Sequence, residues 1–487
     1  MTRKSRLFAQ LGLSGTLLSL LLEACAVGPN YKPPATQLAP FHNQAPAAST
    51  ASAPSLDRWW TGFNDPMLVT IVQRALDQNL DLAAALARVQ QARAAAKGAG
   101  AALLPTADFN AGAAFEHSSL NSEFGTISRD APGFRRDFQE YTLGPSASWE
   151  LDLFGGLRRG AKAATEEAQA AQADGVGTRV TVVADAADAY LQIRGYQARL
   201  AVALDQVATD EHLLKLVHGR YDAGAATGRE IAQAEALLQQ ARASIPLLRI
   251  GLEQQLNRLD VLMGAQPGTY AQELGAAADI PSIPAIPGDQ APVDVLRRRP
   301  DIIAAERRLA ASNERIGQAI SDYYPKISLS GALGVDSTTG AHLFTGDAFQ
   351  AVGGPSLRWR LFDFGKVDAE VKQAKGANAE SLAIYRQAVL HAAEDVENAL
   401  MALTQTQIRV DAEQSQVAAL TKARDLSQHA YVSGSIPLTD VLDADRELLT
   451  ARDDLDANRA DSARAAVAVF RAFGGGWSPP EAKVAAR

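Results

Sequence analysis

The chain is written twice. Gly144-Pro145-Ser146-Ala147-Ser148-Trp149-Glu150-Leu151-Asp152-Leu153-Phe154-Gly155 returns 210 positions later as Gly354-Pro355-Ser356-Leu357-Arg358-Trp359-Arg360-Leu361-Phe362-Asp363-Phe364-Gly365. The same offset carries Tyr221 and Gly224 onto Tyr431 and Gly434, and Gly264 onto Gly474. Upstream the offset is 220, placing Asp81, Arg88 and Pro105 on Asp301, Arg308 and Pro325, so the first copy holds a longer loop. A repeat of about 200 residues is too long for a solenoid unit. Two similar halves that supply equivalent walls to one object are expected instead.

The amino terminus reads as an export signal over residues 1–24. Arg3, Lys4 and Arg6 precede a mostly apolar run from Leu7 to Leu22. The run is short for a membrane span and ends on a small residue, Ala24, before Cys25, the only cysteine of the 487 residues. A lone cysteine forms no internal disulfide. Its place after Leu22-Glu23-Ala24 resembles a bacterial lipoprotein cleavage box, with a covalent lipid expected on Cys25 and a membrane surface as its anchor. Glu23 departs from the usual small or aliphatic residue of that box. Ala26, rather than Asp, follows the cysteine, which by the same resemblance points to the outer membrane. The signal carries three positive charges and one negative, so the formal charge moves from −8 for the chain to −10 without it. That balance argues against nucleic acid as a partner. No apolar run of helix-spanning length follows residue 25.

Residues 25–60 are rich in Pro, Ala, Ser and Gln and read as a tether. The first repeat is expected over 61–265, with strands at about 105–116 and 139–152. A proline-bearing linker covers 266–293. The second repeat covers 294–474, with strands at about 325–336 and 350–362, and 475–487 form a tail. Leu68 to Leu104 is expected as one long helix stopped by Pro105, and 293–322 as another. Tyr141, Leu143, Ala147, Trp149 and Leu151 alternate with Thr142, Gly144, Ser146, Ser148 and Glu150, a strand with one apolar and one polar face. Very long helices are expected after Gly155-Gly156 and after Gly365, at about 100 Å each from the rise per residue. Aromatics are only 6% of the chain, and its hydrophobic content is dominated by alanine, which suits long helices in thin layers. Ala186, Ile193, Leu200, Val207 and Leu214, and likewise Val389, Val396, Leu403, Val410 and Val417, recur every seven residues, as coiled-coil packing requires.

The helices alone would allow a long bundle with no membrane role. The strands decide otherwise. Four strands are too few to close a barrel, whereas three chains would supply twelve. A barrel in lipid must close, because open edges are not tolerated there.

At this point the chain resembles the TolC-like outer membrane factor family, and most closely its lipoprotein (OprM- or NodT-like) branch. The residues that carry the likeness are Cys25-Ala26-Val27-Gly28-Pro29-Asn30-Tyr31, Arg298-Arg299-Pro300-Asp301-Ile302, Tyr324-Pro325-Lys326-Ile327-Ser328-Leu329, Trp359-Arg360-Leu361-Phe362-Asp363-Phe364-Gly365, Asp395-Val396-Glu397-Asn398-Ala399-Leu400 and Gly474-Gly475-Gly476-Trp477. The resemblance implies a mainly α protein with a membrane β-barrel. It would be a homotrimer whose twelve-stranded β-barrel continues into a coiled-coil α-helical barrel in the periplasm. It further implies a periplasmic adaptor and an inner-membrane pump of the proton-driven RND class as partners, with outer-membrane lipid around the barrel.

The same likeness locates candidate sites. Asp440 and Asp443, three residues apart on one helix face, match the family's periplasmic gate, where carboxylate rings would repel one another and attract cations. Both also suit the positive first turn of a helix. Tyr431 matches a gate tyrosine, while Ile436 stands where TolC has a gate arginine, so the closing contacts must differ. Arg229 and Glu230 occupy the equivalent turn of the first half, although Thr227 and Glu230 also form a capping-box pattern. Gly224 and Gly434 are expected at tight turns on the helix tips, which by resemblance meet the adaptor. Glu150, Arg358 and Arg360 project from the polar strand face, expected to be the barrel lumen, with interstrand pairing as an equal alternative. Trp149 and Trp359 are expected to face lipid. The seven histidines are scattered, and neither a Walker loop nor a nucleophile elbow occurs. A non-enzymatic conduit without metal or organic cofactor is therefore expected. An outer-membrane efflux channel is the leading reading. The alternatives are a channel for secretion of proteins or oligosaccharides with an ABC partner, and a lipid-anchored coiled-coil scaffold without a pore.

Overall fold

A computed structural model describes residues 26–35, 39–43, 53–287 and 292–478. The predicted signal segment, Cys25, and parts of the tether, linker and tail lie outside the described residues. No helix among the described residues is long and apolar enough to cross a membrane. The chain divides into two compact units. One holds Met1–Pro33, Gln90–Ala170 and Glu306–Ile384; the other holds Pro34–Val89, Ala171–Ala305 and Tyr385–Arg487.

The first unit contains the only sheet among the described residues, β1 (Thr106–His117), β2 (Asp137–Leu151), β3 (Lys326–Ser337) and β4 (Phe349–Arg358), antiparallel and in that order. β1 bonds only to β2 and β4 only to β3, so both outer edges are open. Register puts Ala111 opposite Leu143, Trp149 opposite Leu329, and Ile327 opposite Leu357, so the apolar alternation of every strand falls on one face. That face is exposed in the single chain: Phe109 is 69% and Phe349 63% accessible. Asp108, Ser146, Ser148, Glu150, Ser328, Ser330 and Ser356 share the other face.

The longer helices are α1 (Pro66–Gln78), α2 (Leu80–Ala101), α3 (Gly156–Asp222), α4 (Gly228–Leu262), α5 (Pro300–Ser321), α6 (Lys366–Val432) and α7 (Leu438–Ala472), and short ones cover Glu123–Ser128, Ala271–Leu274 and Pro292–Arg298. α3 and α6 hold 67 residues each. Two expectations need correction. The helix expected over 68–104 breaks at Asn79, whose backbone is extended. Its N–H ends α1 on the Ala75 carbonyl at 2.9 Å, its Oδ1 accepts from Leu82 N at 2.9 Å to start α2, and its Nδ2 donates to the Leu262 carbonyl at 2.9 Å. The helix expected over 293–322 breaks between Arg298 and Pro300, because the residue before a proline is pushed out of the helical region.

In the second unit the seven-residue runs are buried or half-buried throughout, with Ala186 and Ile193 fully buried and Val389, Val396 and Leu403 nearly so. The largest core lies around Trp59, whose ring stacks on Phe470 at 5.2 Å, with Trp60, Phe63, Leu68, Ile71, Tyr190 and Val467 about it. The glycine run after α7 turns back over this core, where Gly475 N donates to the Phe470 carbonyl and Gly476 N to the Leu56 carbonyl, both at 2.8 Å.

Candidate functional site: helix tips and sheet faces

The two helix turns of the second unit are built alike. Gly224 and Gly434 hold φ of +72° and +76°, a conformation open to glycine at no steric cost. Each lets the chain close the preceding helix, with Ala225 N on the Arg220 carbonyl at 2.7 Å and Ser435 N on the Ala430 carbonyl at 2.8 Å. Beneath the turns Leu213, Val217, Ala234, Leu237, Leu438, Val441 and Leu442 form an apolar cluster that also buries Tyr431, at 2% exposure. The Arg220 guanidinium lies 4.6 Å from the centre of the Tyr431 ring and donates to the Tyr431 and Val432 carbonyls at 3.1 and 2.9 Å. Arg220 thus satisfies carbonyls at the end of α6, which no i+4 donor reaches. Burial first, then the nearby Glu230 charge, pushes the Tyr431 hydroxyl above its ordinary pKa.

The structure places the remaining predicted tip residues as follows. Asp440 and Asp443 are exposed on the first turns of α7, and Asp443 accepts from Arg446 at 3.1 Å. Glu230 closes the capping box on α4, accepting from Thr227 N at 2.6 Å. Arg229 is exposed. Ile436 packs against the apolar cluster.

A buried polar layer next to this cluster escaped the sequence reading. Asp445 on α7 is 1% exposed and accepts from Arg424 Nε on α6 at 2.8 Å. Asp210 on α3 is also 1% exposed and accepts from Gln206 at 2.8 Å. One carboxylate oxygen of each aspartate has no hydrogen-bond partner. Burial pushes the Asp210 carboxyl up to about 6, with the Asp445 charge adding to the effect and Gln206 and Arg424 opposing it. The available signal was a carboxylate inside an apolar stripe: Asp445 follows Leu438, Val441 and Leu442 at helical spacing and precedes Leu448.

On the sheet, Glu150 is half-buried and faces Ser328 across the ladder. Arg358 is exposed opposite Lys326, which is held by Asp322 at 2.8 Å. The strand expected to reach residue 362 ends at Arg358, so Arg360 stands beyond β4, with its guanidinium 3.7 Å from Glu370. Trp149 and Trp359 each spend the indole N–H on a chain carbonyl, of Leu103 at 2.9 Å and Tyr323 at 3.0 Å. These pairs correspond under the duplication.

The segment that follows Cys25 is fixed on the first unit. Val27 N donates to the Phe154 carbonyl at 3.1 Å. Arg159 binds the Gly28 carbonyl, Asn30 Oδ1 and the fully buried Glu314, the last at 2.7 Å. Gly28 has φ of +93°, and a Cβ there would stand 2.5 Å from Gly317 Cα. Among the described residues no group of three or more His, Cys, Asp or Glu side chains is placed to hold a metal ion.

A sheet with one exposed apolar face and two open edges, in a duplicated chain that also holds paired long helices, defines a subunit of an outer-membrane channel. The chain belongs to the outer membrane efflux protein family, whose profile matches residues 71–265 and 291–475. It is 32% identical over 431 residues to the pyoverdine export outer membrane protein OpmQ of Pseudomonas aeruginosa, covering 88% of this chain and 90% of that one. The solved outer-membrane channel OprN superposes with a TM-score of 0.86 at 34% identity, over 93% of this chain and all of that one. The open state of the Neisseria gonorrhoeae MtrE outer membrane channel gives 0.81 at 28% identity, over 93% and 99%. The protein is an outer-membrane efflux channel extending into the periplasm.

Proposed function

We propose that three copies of this chain close a twelve-stranded barrel and serve as the passive outer-membrane exit of an RND-type pump, joined through a periplasmic adaptor. The observation that carries this reading is the four-stranded sheet with both edges unpaired and its apolar face exposed. Unpaired backbone in hydrocarbon costs several kcal/mol per group, so the edges must meet strands of other copies. Cys25 carries the lipid in this reading. Asp440 and Asp443 ring the periplasmic entrance, with Tyr431, Glu230 and Arg229 supporting the turn, and the tips at Gly224 and Gly434 face the adaptor. Glu150, Arg358 and Arg360 line the lumen. The cargo is small organic molecules, a class to which the substrate in OpmQ's name belongs.

The test is accumulation of a fluorescent panel of organic cations, dyes and drugs in a host strain lacking the gene. Raised retention that the restored gene reverses is the expected result. Unchanged retention across the panel, in a strain shown to have no redundant channel, would overturn small-molecule efflux in favour of secretion of larger substrates.

A further inference from the structure

The polar layer of Asp210, Arg424 and Asp445 lies where the two helical hairpins of the second unit, α3 with α4 and α6 with α7, share one core. Next to it, Leu213, Val217 and Leu237 of the first hairpin pack with Leu438, Val441 and Leu442 of the second. Both aspartates are 1% exposed, and each leaves one carboxylate oxygen without a hydrogen-bond partner. Packing does not require charge at these positions. Under the 210-residue offset Asp210 falls on Leu420, while Arg424 and Asp445 answer to Leu214 and Glu235. The two leucines are half-buried, and Glu235 is exposed. A buried ionic group generally costs more than well-packed apolar side chains of similar volume. The chain thus bears an electrostatic cost here that its other half avoids at the matching positions. The groups around Asp210 are Gln206 on its own helix, which donates to it at 2.8 Å, Arg424 on α6 and Asp445 on α7. Arg424 also bonds Asp425 at 3.3 Å. Two exposed pairs lie on the same helices: Arg452 of α7 with Asp205 of α3 at 3.3 Å, and Arg242 of α4 with Glu211 of α3 at 2.7 Å.

We propose that Asp210 is a proton-operated latch between the two hairpins: protonated, it leaves the layer neutral and holds them together, and ionised, it lets them part near the turns. The acid form gains an O–H to donate toward the free Asp445 oxygen, and Arg424 then balances the one remaining carboxylate. The ionised form sets two carboxylates against one guanidinium out of water, and parting of the helices hydrates both. Burial holds the Asp210 carboxyl up at about 6 in the closed layer, against an ordinary 3.8 once hydrated. The opening equilibrium then rises about tenfold from pH 5 to pH 7. Periplasmic acidity thus acts on the channel through a buried residue, apart from the exposed Asp440 and Asp443. The latch needs only the fold of one chain and does not depend on how many copies meet.

The experiment uses the full-length protein purified in detergent. Leu442→Cys places a thiol under the turns, at a position 3% exposed, so that a thiol reagent reaches it only when the hairpins part. Its labelling is compared with Asp210 intact and with Asp210→Asn, which keeps the shape and a donor and does not titrate. The parent without the new cysteine is the blank for Cys25. Taking the ratio of the two rates at each pH cancels the titration of the thiol itself. That ratio, intact over variant, is expected to rise about tenfold from pH 5 to pH 7. If the asparagine variant folds poorly, Asp210→Leu, which copies Leu420, takes its place with the same expected rise. A ratio that stays constant overturns the latch. Single-channel openings in planar bilayers are expected to follow, more frequent at pH 7 than at pH 5 in the wild type and far less dependent on pH in Asp210→Asn. A response of equal size in Asp210→Asn assigns it to Asp440 and Asp443 and also overturns the latch.

Discussion

Asp210 and Asp445 place two carboxylates and one guanidinium, Arg424, in a buried layer of the second unit. The groups that bear on Asp210 are Gln206 on its own helix, Arg424 on α6 and Asp445 on α7. Asp425 and Arg452 act in turn on Asp445, whose carboxyl burial also pushes up. The folded Asp210 titrates near 6 against an ordinary 3.8. Above that value the folded chain holds a buried charge and bears its desolvation cost. As the pH falls through 6 toward 3.8 the folded chain takes up a proton that the unfolded chain does not, so acid relieves the cost. Asp210→Asn is therefore expected to stabilise the protein by on the order of 2–3 kcal/mol near pH 7.5 and by about half as much near pH 5, the gain vanishing only below the ordinary carboxylate range. Thermal unfolding of wild type and variant at the two pH values checks this. Equal gains at both would assign the effect to packing. The sequence held the clue to this layer, since both aspartates interrupt apolar stripes. Its meaning was hidden because a stripe position shows that a side chain is buried and not which helix supplies its counter-charge.

At the scale of elements, the N-terminal segment is fixed by one glycine as much as by its hydrogen bonds. Gly28→Val would force a branched side chain into left-handed backbone, at about 1–2 kcal/mol, and drive its Cβ into Gly317. The expected outcome is release of residues 26–31 from the first unit with the sheet intact. Limited proteolysis should then cut near Tyr31 in the variant and spare the wild type. The long helices were legible because their seven-residue runs are sustained over five positions each and their ends carry glycine. The break at Asn79 was not, since a single asparagine is tolerated within a helix and the group that fixes it there, the Leu262 carbonyl, is 183 residues away. The short β4 was misjudged for a related reason: the alternation of residues 357–361 is real, but an edge without a neighbour has no ladder to extend.

For the whole molecule, the duplication and the count of four strands were enough to require several copies, because both follow from spacing alone. Gate residues were proposed by likeness; of these Asp440 and Asp443 are exposed on α7, with Arg446 beside Asp443. Asp440→Ala combined with Asp443→Ala is expected to raise single-channel conductance in planar bilayers severalfold and to lower preference for cations, as loss of carboxylate rings at a constriction would. An unchanged current through an already open pore would remove these two residues from the gate.

The pairing of β2 with β3 lies within one chain, while the edges of β1 and β4 look outward, so the two kinds of seam answer to different mass action. The inner partners are joined through the helices that lie between Leu151 and Lys326 in the same chain, so their meeting does not depend on how many chains are present. The outer partners must find each other by diffusion, and their occupancy rises with the number of chains delivered to the membrane. Dilution or weak expression would therefore empty the outer seam first and leave intact, half-built sheets with their apolar faces in lipid.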